Sequence, residues 1–336
     1  MTSGKRSSKA MRANQPDLLI AGTGAMACLF AARLAAAGIQ PLLLGSWQAG
    51  VEAINAGGVR VIGENGEEHA YAVRATTRIP PRGSVANALA LVKSWQTERV
   101  ARQLSKCLAA DGIALSLQNG AGNDQELSHY LGAARVSLGA TTVGATLIAP
   151  GKVKPGGEGV VILERQERLD RFAAWFERAG FEVERHPDVR SVQWGKLVIS
   201  AAINPLTALL RVRNGELLEN NASRSLMQSA AREAAAVAAA QGIALPYSDP
   251  AWVVQETARR TAINRSSMLQ DILRGAPTEI DAICGAVVRS GERAGVPTPV
   301  NRVLWLLVRA LAAFSADSSG EGNGAIKKDS LEVIKP

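Results

Sequence analysis

The chain changes its hydrophobic rhythm near its middle. Through residue 186 short apolar runs alternate with stretches of helical period; from Ser191 onward the helical period is nearly unbroken. Asp17-Leu18-Leu19-Ile20-Ala21 is a buried-strand pattern. It runs into a glycine turn, then a helix over 28–37 stopped by Gly38, then a second apolar strand, Pro41-Leu42-Leu43-Leu44. A helix at 51–56 and a hairpin-like pair (58–62 and 68–73, around Asn65-Gly66) follow. The pattern next predicts a strand over 87–94, a helix over 96–108 and a strand over 113–117. Strands at 136–145, 151–153 and 160–163, a helix at 169–180 and a strand at 181–184 complete the first half. We place a boundary near Pro187, giving domains at 17–187 and 188–314. The basic segment 1–16 and the polar segment 315–336 are expected to be disordered.

The glycine turn gives the first half its class. In Gly22-Thr23-Gly24-Ala25-Met26-Ala27, Gly22 makes the tight turn, Gly24 admits a pyrophosphate to the backbone, and Ala27 lets the helix pack on the strand. Strand, glycine turn, helix and strand predict an α/β Rossmann-type dinucleotide-binding domain, followed by an all-α C-terminal domain. The alternative is a glycine turn without a ligand. After the second strand come Gly45, Ser46, Trp47 and Gln48, with no carboxylate for a ribose 2′-hydroxyl. That absence favours NADP over NAD, and Ser46 can bond either cofactor. Lys93 and Asn119 follow later strands, where ligands of open α/β sheets bind.

Composition narrows the function classes. The formal charge of +8 falls to about +4 without the four cations of the N-terminal segment, and no basic cluster interleaved with aromatics remains. Nucleic acid is therefore not an expected partner, and no apolar run approaches a membrane span. Cys28, Cys107 and Cys284 are scattered without metal spacing and read as reduced thiols of a cytoplasmic protein. His69, His129 and His186 lie away from other candidate groups, which disfavours a histidine mechanism.

In the second half, Lys196, Ser200 and Asn204 recur every four residues in an otherwise apolar helix. The ammonium either snorkels from the helix end or is a catalytic group with hydrogen-bonding neighbours. Pro205 is expected to kink or end this helix at Asn204. Ser267-Met268-Leu269-Gln270 fits a capping box, and Thr278-Glu279-Ile280-Asp281 is expected to open the next helix. Ser267 and Glu279 are thus either helix-end residues or site residues.

Taken together, these motifs resemble the ketopantoate reductase (2-dehydropantoate 2-reductase) family. They include Val92-Lys93-Ser94-Trp95-Gln96-Thr97, Leu117-Gln118-Asn119-Gly120-Ala121-Gly122-Asn123, Trp194-Gly195-Lys196-Leu197 and Ile203-Asn204-Pro205-Leu206. Ser266-Ser267-Met268-Leu269-Gln270-Asp271, Thr278-Glu279-Ile280-Asp281 and Gly295-Val296-Pro297-Thr298-Pro299 extend the match. The resemblance implies NADPH-dependent reduction of a small 2-keto acid, 2-dehydropantoate, to (R)-pantoate in a cleft between the two domains. It implies Lys196 as catalytic general acid and Glu279 as the carboxylate that binds substrate. Ser200, Asn204, Asn264 and Ser267 fall in the substrate pocket, and Ser46, Lys93, Asn119 and the 22–27 turn fall on the cofactor side. Three positions depart from the family pattern. Ser200 stands where a second pocket asparagine is common, Pro155 where a histidine is, and Ser46 or Trp47 where an arginine commonly meets the 2′-phosphate. A member acting on another 2-keto acid and a non-catalytic dinucleotide-binding protein remain alternatives, and a homodimer is left open.

Overall fold

The computed structural model describes residues 16–320; the basic and polar segments expected at the two ends lie outside it, except at their inner edges. The first half contains β1 (Leu18–Ala21), α1 (Ala25–Ala36), β2 (Pro41–Leu44), α2 (Gln48–Gly57), β3 (Val59–Ile62), β4 (Glu68–Tyr71), β5 (Arg74–Thr76) and β6 (Val85–Ala90). It continues with α3 (Thr97–Cys107), β7 (Leu108–Ser116), α4 (Asn123–Leu131), β8 (Val136–Thr141), β9 (Ala145–Ala149), β10 (Lys152–Pro155), β11 (Val160–Glu164), α5 (Asp170–Arg178) and β12 (Glu182–His186). An eight-stranded sheet runs β12-β11-β8-β7-β6-β1-β2-β5. From β5 to β8 it is parallel, and β11 joins β8 antiparallel. The order reverses between β1 and β6, so a crevice opens beyond their carboxyl ends. Such strands are covered on both faces and need continuous apolar sequence; accordingly Leu18, Leu19, Ile20 and Ala21 are all fully buried.

A smaller sheet, β4-β3-β10-β9, contains the expected hairpin and packs with α1 through Val59, Leu147 and Val153. The strand expected over 87–94 ends at Ala90, and the one expected over 113–117 begins at Leu108. Two further strands differ in kind. β5 is three residues long and carries Arg74, too little pattern to register alone; the Asn55 side chain completes its outer edge with 2.9 Å bonds to both Ala75 N and Ala75 O. The single strand expected over 136–145 divides at Thr142-Val143-Gly144, where the chain leaves the large sheet for the small one.

The second half contains α6 (Val189–Leu210), α7 (Asn221–Ala240), α8 (Pro250–Arg260), α9 (Ser267–Leu273), α10 (Cys284–Ala294) and α11 (Pro299–Gly320). Asp188, Asn220 and Asp249 cap α6, α7 and α8 through their side chains. Leu197, Val198, Ala201 and Ala202 of α6 sit in one core with Met227, Ala234, Val254 and Val287.

Three expectations are corrected here. The helix does not end at Asn204: α6 runs through Pro205 to Leu210. Proline withdraws the N–H that would bond the Ala201 carbonyl, and the buried Cys284 thiol donates to that oxygen at 3.6 Å instead. Glu279 lies in a bend that leads into a turn over 280–283, and α10 begins only at Cys284. The last helix continues past Phe314 to Gly320, because nothing in Ser315-Ala316-Asp317-Ser318-Ser319 breaks it.

Candidate active site

At the crevice the glycine turn takes the shape its spacing predicts. Gly22 has φ +128°, and a Cβ there would lie 3.0 Å from the Leu91 carbonyl oxygen. Leu91 N in turn donates to Ala21 O at 3.0 Å, tying together the two strands that flank the reversal. A Cβ on exposed Gly24 would meet nothing within 4 Å. No side chain caps the N-terminus of α1 and no acidic residue occupies its first turn. The first N–H groups of that helix are therefore free to receive an anion. Thr23 and Ala27 are buried, Ala25 and Met26 half-buried, and Thr23 packs against Gly45 at the end of β2. Ser46 is exposed beyond that strand. These residues fit a dinucleotide pyrophosphate.

Beside the turn, three consecutive parallel strands each deliver one polar group. Lys93 follows β6, Asn119 follows β7, and Thr141 ends β8. The helical half contributes Lys196 from α6, Asp271 from α9 and Glu279 from the bend before α10. Lys93 Nζ donates to Asp271 Oδ2 at 2.8 Å and to Glu279 Oε2 at 3.2 Å. Glu279 also accepts from Ser94 N at 3.0 Å and from Asn119 Nδ2 at 3.5 Å. Lys196 Nζ donates to Asn119 Oδ1 at 2.8 Å and to the Thr141 carbonyl at 2.6 Å.

Burial sets the electrostatics of this chain of contacts. It pushes the Lys196 ammonium down to about 8, with Glu279 opposing the fall. Burial also works against the charge on Lys93, but Glu279 and Asp271 outweigh it and hold that ammonium above the ordinary lysine value. The Asp271 carboxyl is pushed up by burial against the pull of Lys93. Two lysines of one crevice are thus driven apart, one kept as a fixed cation and one still charged at pH 7 but able to give up its proton near pH 8.

A buried polar net fixes the strand ends that carry these groups. Gln118 Nε2 donates to Val92 O at 3.1 Å and Thr97 Oγ1 at 2.8 Å. Thr97 Oγ1 donates to Asn123 Oδ1 at 2.9 Å, and Asn123 Nδ2 to Asn119 O at 2.8 Å. Gly120 has no room for a Cβ, which would lie 2.5 Å from the Ala282 carbonyl; Ala121 N donates to that same oxygen at 3.0 Å. The two halves therefore meet backbone to backbone next to Glu279.

The remaining predicted residues lie around this center. Ser200 and Asn204 are half-buried on α6, and their side chains have no hydrogen-bond partner among the described residues. Asn264, on the segment leading into α9, and Ser267, its first residue, are both exposed. The cap of α9 is Ser266, one residue before the one expected: its Oγ accepts from Leu269 N at 3.1 Å and from Thr207 Oγ1 at 2.7 Å. Sequence reading gave no role to Asp271 or to the Thr141 carbonyl. Asp271 carried a signal, an acid between Leu269 and Ile272 on the apolar side of a short helix; a main-chain oxygen carries none. Among the described residues no three His, Cys, Asp or Glu side chains converge as a metal site.

Comparison with known proteins agrees with this geometry along nearly the whole chain. Residues 18–167 match the family described as ketopantoate reductase PanE/ApbA, and residues 188–312 match its C-terminal part. A 2-dehydropantoate 2-reductase from Archaeoglobus fulgidus is 36% identical over 298 residues, covering 87% of this chain and 96% of that protein. One from Pyrococcus horikoshii is 33% identical, covering 90% and 99%. The crystal structure of a PanE/ApbA family ketopantoate reductase from Ralstonia eutropha JMP134 superposes with a TM-score of 0.81 at 32% identity, covering 89% and 99%. D-mandelate dehydrogenase, in a ternary structure with NADH and anilino(oxo)acetate, superposes with 0.83 at 25% identity over the same shares. Fold, crevice and sequence agree: the chain belongs to the ketopantoate reductase family.

Proposed function

We propose that this chain is an NADPH-dependent 2-dehydropantoate 2-reductase, forming (R)-pantoate on the route to pantothenate and coenzyme A. Residues 17–187 bind the dinucleotide and 188–314 complete the substrate pocket. The three buried free thiols, Cys28, Cys107 and Cys284, suit the reducing cytoplasm. The observation that carries the reading is the Lys196 ammonium, lowered to about 8 and aimed by Asn119 and Thr141 in a crevice that adjoins the glycine turn.

NADPH supplies the hydride when bound, its pyrophosphate held by the 22–27 turn and the N-terminus of α1. Hydride arriving at a 2-keto carbon leaves negative charge on the carbonyl oxygen, which calls for a cation that can also give up a proton. Lys196 provides both: protonated at neutral pH, it donates from Nζ to the developing alkoxide. Glu279, anchored by Ser94 N and Lys93, accepts a hydrogen bond from the substrate hydroxyl. Lys93 and Asn119 keep Glu279 and Lys196 in register at the cofactor side. Ser200 and Asn204, one and two turns along α6 from Lys196, line the substrate pocket, with Asn264 and Ser267 at its rim.

Ser200 supports a second reading, reduction of a different 2-keto acid, because its side chain is shorter than the asparagine common at that position and lies half-buried one turn from Asn204. Steady-state kinetics decide between them. Under the first reading kcat/KM with NADPH is highest for ketopantoate among a panel of aliphatic and aryl 2-keto acids; a higher value for another acid selects the second. Turnover of no 2-keto acid with bound NADPH rejects both.

A further inference from the structure

The end of β2 leaves a chemical question open. It offers Ser46, exposed, and Trp47, but no cation to meet a ribose 2′-phosphate. The neighbouring strand answers it. β5 pairs parallel to β2 with Leu44 opposite Thr76, and Gly45 N donates to Thr76 O at 3.1 Å. The strand ends at Thr76 and the chain bends through Thr77 and Arg78, so Arg78 leaves the sheet at the same end as Ser46, after the strand next to β2. The backbone there is fixed: Arg78 N donates to Thr76 Oγ1 at 3.0 Å, and Thr76 Oγ1 donates to Arg78 O at 3.3 Å. The guanidinium itself is exposed and has no partner among the described residues. No acidic residue stands in the first turn of α2, which follows Ser46. The Trp47 ring packs over Gly50 in the first turn of α2, where an added Cβ has no room.

We propose that Arg78, from the loop after the edge strand, is the residue by which this chain selects a 2′-phosphorylated dinucleotide, working with the Ser46 hydroxyl. The inference rests on the reading of the 22–27 turn as the pyrophosphate site. That turn follows β1 and Arg78 follows β5, the two parallel neighbours of β2, so both lie at the carboxyl end of one sheet edge and one extended dinucleotide can span them. A guanidinium meets a phosphate through paired N–H donors, and a ribose hydroxyl gains little from it; the residue therefore discriminates rather than merely attracts.

The test is direct binding of NADPH and of NADH to the purified full chain by titration calorimetry, independent of turnover. Wild type should bind NADPH more tightly, and Arg78→Ala should weaken NADPH about 10- to 100-fold with NADH within twofold. Arg78→Lys should restore part of the loss, and Arg78→Glu should reverse the preference. Arg74→Ala, at the opposite end of the same strand, should leave the ratio unmoved, which controls for general charge. Both dinucleotides bound with a ratio unaffected by Arg78→Ala overturns the role of Arg78 alone. Binding of neither overturns the dinucleotide site and Arg78 with it.

Discussion

Lys196 Nζ donates to Asn119 Oδ1 at 2.8 Å, joining the middle of α6 to the end of β7. The same amide turns its Nδ2 toward Glu279 at 3.5 Å. One asparagine therefore bridges an ammonium and a carboxylate that belong to different parts of the helical half. It does so from a backbone held by Asn123 and Gln118.

The rate should carry the signature of the lowered ammonium. Lys196 must be protonated to act, so kcat/KM should be flat below pH 7 and fall tenfold per unit above about 8. A pH profile with saturating NADPH measures this. A limb near the ordinary lysine value of about 10.4 would contradict the assignment.

Asn119→Asp moves that limb in a known direction. A carboxylate 2.8 Å from the ammonium stabilises its charged form, so the alkaline limb should shift to higher pH. Asn119→Ala keeps no acceptor and should lower kcat about 10- to 100-fold. An unshifted limb in Asn119→Asp would mean that Lys196 does not govern the profile.

Lys93 and Asp271 should be coupled. Asp271 is 8% exposed, while the Lys93 side chain is 36% exposed, so solvent screens part of their attraction. Asp271→Asn should cost about 1–2 kcal/mol in urea unfolding, below the cost of breaking a fully buried pair. In a double-mutant cycle with Lys93→Met the losses should be less than additive. Strict additivity would show that the ion pair contributes nothing.

The bond from Cys284 to Ala201 predicts an energetic coupling between Cys284 and Pro205. Cys284→Ala should destabilise by about 1–2 kcal/mol through lost packing and the orphaned carbonyl. With Pro205→Ala an N–H returns to that carbonyl, so the penalty for losing the thiol should shrink. Equal penalties in both backgrounds, read from denaturant midpoints, would remove the compensating role of the thiol.

Much of this was legible before any coordinates. β1 and β2 have the expected bounds to within a residue, since runs buried on both faces carry no competing pattern. The glycine turn was legible because each of its members answers a separate steric demand. What escaped shares one cause: the partner lies far along the chain. Local preference says proline ends a helix, but α6 is held in the core by its apolar face, and the carbonyl that Pro205 leaves open accepts from the thiol of Cys284, 83 residues away. Glu279 reads locally as a first-turn carboxylate, yet it sits in a bend that Lys93, Ser94 and Asn119 hold from the opposite half. The shift of the α9 cap from Ser267 to Ser266 has the same origin, because Thr207 of α6 bonds Ser266. β5 was missed because its three residues acquire meaning only beside β2 and Asn55.

The most direct test of the central claim is the turnover of Lys196→Ala with ketopantoate and NADPH, measured together with its dissociation constant for NADPH. Removing the proton donor should lower kcat by about 10²- to 10⁴-fold while NADPH affinity stays within a few fold of wild type. A kcat within threefold of wild type would contradict the account.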